Sequence, residues 1–168
     1  MSSFASPYIK TVTVAVARNA DILTYTGADV ANIKTLACTF SRGVGVATPG
    51  AVVALTDGTE NERHTMIFNN ATQFFIVGSD GGVNRYLMQP TYTPGTTSKA
   101  AVTFATNDVK ADFNGTAQTP DTAATMPTVT QINVGHEAGI AVGNCAVNHI
   151  YGWTRNLSQS ELGAVDRA

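Results

Sequence analysis

The sequence predicts an all-β protein: an antiparallel β-sandwich with one short C-terminal helix. Three observations predict it. Apolar residues recur at every second position in run after run of the 168-residue chain, the period of strands with one face inward and one outward. The runs are separated by Asp, Asn and Gly, residues that tolerate positive φ in tight turns. One segment near the C-terminus carries helix-start chemistry. Many short strands with regular turns indicate a sandwich or barrel.

The elements follow in order. Residues 1–20 read as an N-terminal arm or first strand, in which Val12, Val14 and Val16 alternate with Thr11, Thr13 and Ala15. Leu36, Cys38 and Phe40 then alternate with Thr35, Ala37 and Thr39. Val53 and Leu55 oppose Val52 and Ala54, and His64 shares a face with Met66 and Phe68. The stretch Phe74-Phe75-Ile76-Val77 is apolar on both faces. It reads as a strand covered on both sides or as one whose outer face meets another subunit. Val102 and Phe104 alternate with Ala101 and Thr103, and Val109, Ala111 and Phe113 with Lys110, Asp112 and Asn114. Asn107-Asp108 and Asn114-Gly115 sit where two-residue hairpin loops belong. A strand ends at Val134-Gly135, and an aromatic strand carries Tyr151 and Trp153, the latter expected in the core. Residues 158–166 read as the helix. Ser158 and Glu161 form a capping box, Leu157 and Leu162 a hydrophobic staple, and the helix is expected to cover an open end of the sandwich.

Composition places limits on function. No linker or composition shift divides the chain, so residues 1–168 read as a single domain. Charged residues make up 13%, about half the usual share, so the surface rests on Thr, Ser, Asn and Gln, as secreted and virion proteins often do. Net charge is −2 with no Lys/Arg run, which argues against nucleic acid as partner. No apolar stretch has membrane-spanning length, so no membrane partner is expected. The N-terminus lacks the basic-then-apolar order of a secretory signal. Cys38 and Cys145 have no metal-ligand spacing and read as two buried thiols on strand faces, with a single disulfide as the alternative.

The run AVTFATNDVKADFNGT, then PTVTQINVG, then NHIYGWTRNLSQSELGAV resembles the concanavalin A-like lectin/glucanase superfamily, close to its laminin-G-like branch. The turn Asn114-Gly115, the strand Ile132 to Gly135 and the closing segment His149 to Leu162 carry the likeness. Val134 replaces the more usual Ile, and Asn148-His149 stand where many relatives have Gly. The segment Arg18 to Leu23 and the hairpin Leu55 to Arg63 are similar to bacteriophage and prophage virion members of that superfamily. The resemblance implies a concanavalin A-like jelly roll in a virion or cell-surface setting and no particular ligand.

A search for chemistry finds binding groups more readily than reactive ones. Glu60-Asn61-Glu62 begins like the carboxylate motif of retaining glucanases, but Thr65 stands where the closing acid belongs and cannot protonate a leaving oxygen. No catalytic residue is assigned. Sugars present apolar ring faces rimmed by hydroxyls, so their sites combine aromatic rings with planar hydrogen-bonding side chains. Asn84, Arg85, Tyr86 and Tyr92 have that chemistry, with Asn61, Arg63 and His64 as a second edge. His149 is expected to be structural. No other cofactor is expected, but many laminin-G-like sandwiches hold Ca2+ with loop oxygens, which makes Asp57, Asp80 and Asp121 the candidate ligands.

The expected function is therefore a non-enzymatic bacteriophage virion protein of capsid or tail, structural or decorating. It would be assembled in the host cytoplasm and partnered by other virion proteins and its own copies. The alternative is a carbohydrate-binding module that recognises a host surface glycan. A glycoside hydrolase is the further alternative.

Overall fold

The structure, a computed structural model, describes residues 23–44, 49–138 and 141–167. The expected strand at residues 11–16 lies outside them. Among the described residues eleven strands form two antiparallel sheets. The strands are β1 (Leu23–Thr26), β2 (Thr35–Arg42), β3 (Gly50–Thr56), β4 (Arg63–Phe68), β5 (Phe74–Asp80), β6 (Val83–Met88), β7 (Thr97–Thr103), β8 (Lys110–Phe113), β9 (Thr116–Ala117), β10 (Gln131–Val134) and β11 (Cys145–Trp153). One sheet has six strands in the order β1-β10-β3-β4-β5-β6, and the other five in the order β11-β2-β7-β8-β9. The helix α1 spans Gln159–Arg167.

The period-two runs face as the alternation predicts. Leu36, Cys38 and Phe40 from β2 meet Met66, Phe68, Phe74 and Ile76 from the facing sheet in one buried cluster. Phe40 lies stacked on Phe74 with ring centroids 4.8 Å apart, and Phe74 reaches Phe113 at 5.3 Å, so aromatic contacts tie the sheets together. Arg42 continues the inward face of β2. It is buried with its guanidinium 4.7 Å from the Phe68 ring centroid, and its Nη1 donates to the Asn70 carbonyl at 3.3 Å.

Two expectations change. The Asn107-Asp108 turn is part of a six-residue connection, Phe104 to Val109, instead of a two-residue loop. Asn114-Gly115 does make the tight β8–β9 hairpin, with φ of 51° and 78°. The helix packs on the outer face of the five-stranded sheet, against β7 and β8, instead of closing an end. Ala37 and Ala101 are small enough to let Leu157 and Leu162 seat there. On β5, Val77 is buried but the outward Phe75 is only half-buried.

Candidate functional site

The six-stranded sheet gathers several of the polar candidates at one end, where the β3–β4 and β5–β6 connections meet. Gly82 donates its N–H to the Asn61 carbonyl at 3.1 Å. Arg63 Nε donates to Ser79 Oγ at 3.3 Å, Ser79 Oγ donates to Asn84 Oδ1 at 2.8 Å, and Arg63 Nη1 pairs with Glu137. Arg85 lies 3.6 Å from Asp80, whose carboxylate also accepts from Thr125. The Arg63, Ser79 and Asn84 side chains are thus chained together and Arg85 is held by Asp80, while Asn61 takes part through its carbonyl. Glu62 does the same work, since its two oxygens accept backbone N–H groups from Gly81 and Thr128 at 2.7 and 3.1 Å. Glu137, absent from the sequence-based set, reaches this face from the segment after β10. Burial raises its carboxyl pKa, opposed by the Arg63 charge.

Three proposed sugar contacts are in the core. Tyr86, Tyr92 and His64 are 3%, 5% and 5% exposed, so no sugar ring can lie on them. On β6 the alternation turns Tyr86 and Met88 inward and leaves Leu87 outside. Tyr86 shares a 2.8 Å hydrogen bond with His64 Nδ1, and His64 stacks on Phe104 at 4.0 Å. Burial lowers the His64 pKa to about 3, with the Lys34 charge a smaller cause, and pushes the Tyr86 phenol well above its usual range. Tyr92 donates its hydroxyl to the Asn70 carbonyl at 3.0 Å.

The three candidate calcium ligands do not converge. Among the described residues no three His, Cys, Asp or Glu side chains are placed to hold an ion. Asp57 accepts from the backbone and hydroxyl of Thr59 at 2.8 and 2.7 Å, and Asp121 from the Ala123 backbone at 2.9 Å. Each closes its own turn, as short acidic side chains commonly do. Asp80 is engaged by Thr125 and Arg85.

A different surface has the form of a ligand site. A groove of about 510 Å³ crosses the outer face of the five-stranded sheet, lined by Thr39, Lys99, Asn148, His149, Tyr151 and Trp153, with Val165 of α1 as one wall. Its base is the edge strand β11. A bulge between Val147 and His149 resets the register, after which His149, Tyr151 and Trp153 share one side. Ile150, between them, packs on the core. The His149 and Tyr151 rings are 6.0 Å apart and 15° from parallel, and Tyr151 and Trp153 are 6.0 Å apart at 37°. Tyr151 is 50% exposed. Trp153 is half-buried, resting on the cluster formed by Leu157 and Leu162, so it is neither the core residue expected nor fully free. His149 is exposed instead of structural. Among the described residues no carboxylate lies within ion-pair distance of Lys99 and none lines the groove. The alternation H-I-Y-G-W, with a lone Ile between aromatics, was the available signal: whichever side Ile150 takes, the rings take the other.

The groove can place a flat, partly apolar ligand face on the rings while Asn148, Thr39 and Lys99 offer hydrogen bonds at the rim.

No protein-family model matches the chain, and no curated protein sequence does. Solved structures do. The CBM40 module of the Ruminococcus gnavus IT-sialidase, bound to α2,3-sialyllactose, superposes with a TM-score of 0.66 at 14% identity, covering 83% of this chain and 86% of that one. Trypanosoma rangeli sialidase in complex with the inhibitor DANA gives 0.61 at 13% identity, covering 81% of this chain and 23% of that one. The NanB sialidase from Streptococcus pneumoniae gives 0.64 at 13% identity, covering 79% and 24%. The chain thus spans about a quarter of the length of those two sialidases. The likeness is one of fold alone: a two-sheet antiparallel jelly-roll sandwich.

Proposed function

We propose that the protein is a non-catalytic carbohydrate-binding module whose ligand lies on the His149–Tyr151–Trp153 row. The row carries the reading. It is an exposed aromatic surface with hydrogen-bonding side chains beside it, and the outer face of a rigid sheet holds it in place. Lys99 and the absence of lining carboxylates among the described residues favour a sugar that bears a carboxylate. The R. gnavus module of the same fold, bound to sialyllactose, makes sialylated glycans the first class to try. A catalytic role gains no support from Glu62, whose oxygens are engaged by backbone donors. Display in many copies on a particle, the setting implied by the sequence resemblance, would multiply a weak single site.

The test is titration of the protein with sialylated and neutral oligosaccharides. Tyr151→Ala should weaken binding at least tenfold without moving the melting temperature, because half of the side chain is in solvent. Lys99→Met should erase any preference for the acidic over the neutral sugar. Absence of saturable binding at millimolar ligand, or binding indifferent to Tyr151→Ala, rejects the proposal.

A further inference from the structure

A second groove, of about 380 Å³, lies where the end of β6 approaches the β8–β9 hairpin. Its chemistry differs from that of the first. Gln89, Asn114 and Gln118 supply three carboxamides and Thr116 a hydroxyl, over Pro90 and Phe113, and no charged side chain lines it. Each amide has one side engaged within the protein: Gln89 Oε1 accepts from Gln73 Nε2 at 3.3 Å, Asn114 Oδ1 from the Lys99 N–H at 2.8 Å, and Gln118 Nε2 donates to the Thr116 carbonyl at 2.9 Å. The other sides, the Gln89 and Asn114 NH2 groups and the Gln118 amide oxygen, remain to pair with the hydroxyls of a neutral sugar.

The two grooves are neighbours through Lys99 and Asn114, one in the lining of each. His149 pairs with Thr39 across β11 and β2, and Thr39 with Lys99 across β2 and β7. Lys99 in turn is joined to Asn114 in both directions. Its N–H donates to Asn114 Oδ1 at 2.8 Å, and the Asn114 N–H donates to its carbonyl at 3.0 Å. The row His149–Thr39–Lys99–Asn114 therefore crosses the sheet perpendicular to its strands, from the first groove to the second. Three inter-strand steps of ~4.8 Å make it about 14 Å long, more than one sugar ring covers. A peptide adding as a strand would run along an edge instead of across the sheet.

We infer that the ligand is an oligosaccharide of several residues, which sets its acidic residue over His149 and Lys99 and continues as neutral residues into the Gln89–Asn114–Gln118 groove. This rests on the glycan-binding reading above and adds length and direction to it.

The experiment is calorimetric titration of the full chain with three probes: free N-acetylneuraminic acid, 3′-sialyllactose and a sialylated pentasaccharide. Affinity should rise at least tenfold from the monosaccharide to the pentasaccharide. The double variant Gln89→Ala/Gln118→Ala should lower pentasaccharide affinity about tenfold more than monosaccharide affinity, whereas Tyr151→Ala should weaken every probe that binds. Equal affinity at all three lengths, or a pentasaccharide indifferent to the glutamine pair, overturns the extended site and leaves the carbohydrate-binding reading standing. Failure of all three probes to bind overturns both.

Discussion

At the scale of single residues, the same residue type does opposite jobs according to the side of the sheet it faces. His64 is enclosed by Phe104 and Tyr86 and stays neutral, whereas His149 stands in the open beside Tyr151. The enclosure has a consequence in acid. The unfolded chain takes up a proton on His64 near pH 6.5, but the folded chain does so only near pH 3. Between those values the unfolded state binds more protons, so the contribution is complete above pH 6.5 and is lost as pH falls toward 3. The slope from this group reaches about 1.4 kcal/mol per pH unit at most. Urea melts from pH 7 to 4 should show stability falling with pH, and the double variant His64→Phe/Tyr86→Phe, which leaves no orphaned hydroxyl, should flatten the curve. Gly78 belongs to the same corner. A Cβ there would overlap the Tyr86 ring, so Gly78→Ala should cost about 1–3 kcal/mol by overpacking, read as a lower denaturant midpoint.

At the scale of elements, α1 shows how local chemistry and tertiary placement divide the work. Ser158 Oγ accepts from the Glu161 N–H at 3.4 Å, and Glu161 Oε2 accepts from the Ser158 N–H at 2.7 Å, closing the capping box visible in the sequence. Arg155 and the Ser158 backbone and hydroxyl hold the Glu161 carboxyl down to about 2. Leu157 and Leu162 are both buried beneath the helix. Ser158→Ala should cost about 1 kcal/mol, measured by chemical denaturation. Where the helix would dock was not legible, because a capping box specifies a start and not a surface. The strand β6 was missed for a related reason: Val83-Asn84-Arg85-Tyr86 is polar enough to resemble a loop, and only pairing with β5 reveals the alternation.

At the scale of the whole molecule, the larger buried cluster forms where the two sheets face each other. Cys38 and Cys145 form no disulfide. They lie on the adjacent strands β2 and β11, but Cys38 is opposite Ile150 and Cys145 opposite Arg42. That offset, about 13 Å along the strand, far exceeds the Cα separation a disulfide spans. Cys38 sits 3.2 Å from the Met66 sulfur, and burial raises the Cys145 thiol pKa, with Arg42 opposing. Reductant should leave the melting temperature unchanged. A thiol reagent should react slowly with the native protein and titrate two thiols in denaturant.

The sequence by itself determined the strand periods, the tight Asn114-Gly115 turn, the capped helix and the sandwich class, because each is a local rule written in residues a few positions apart. It also determined which residues share a face in the strands it marks: Leu36 with Cys38 and Phe40, and His64 with Met66 and Phe68. Only the tertiary structure decided which of those faces points inward. A period of two gives parity without direction, and direction follows from what surrounds each strand: Gly78, paired with Tyr86 on the neighbouring strand β5, makes room for its ring, while Ile150 takes the inner position on β11 and leaves His149 and Tyr151 exposed.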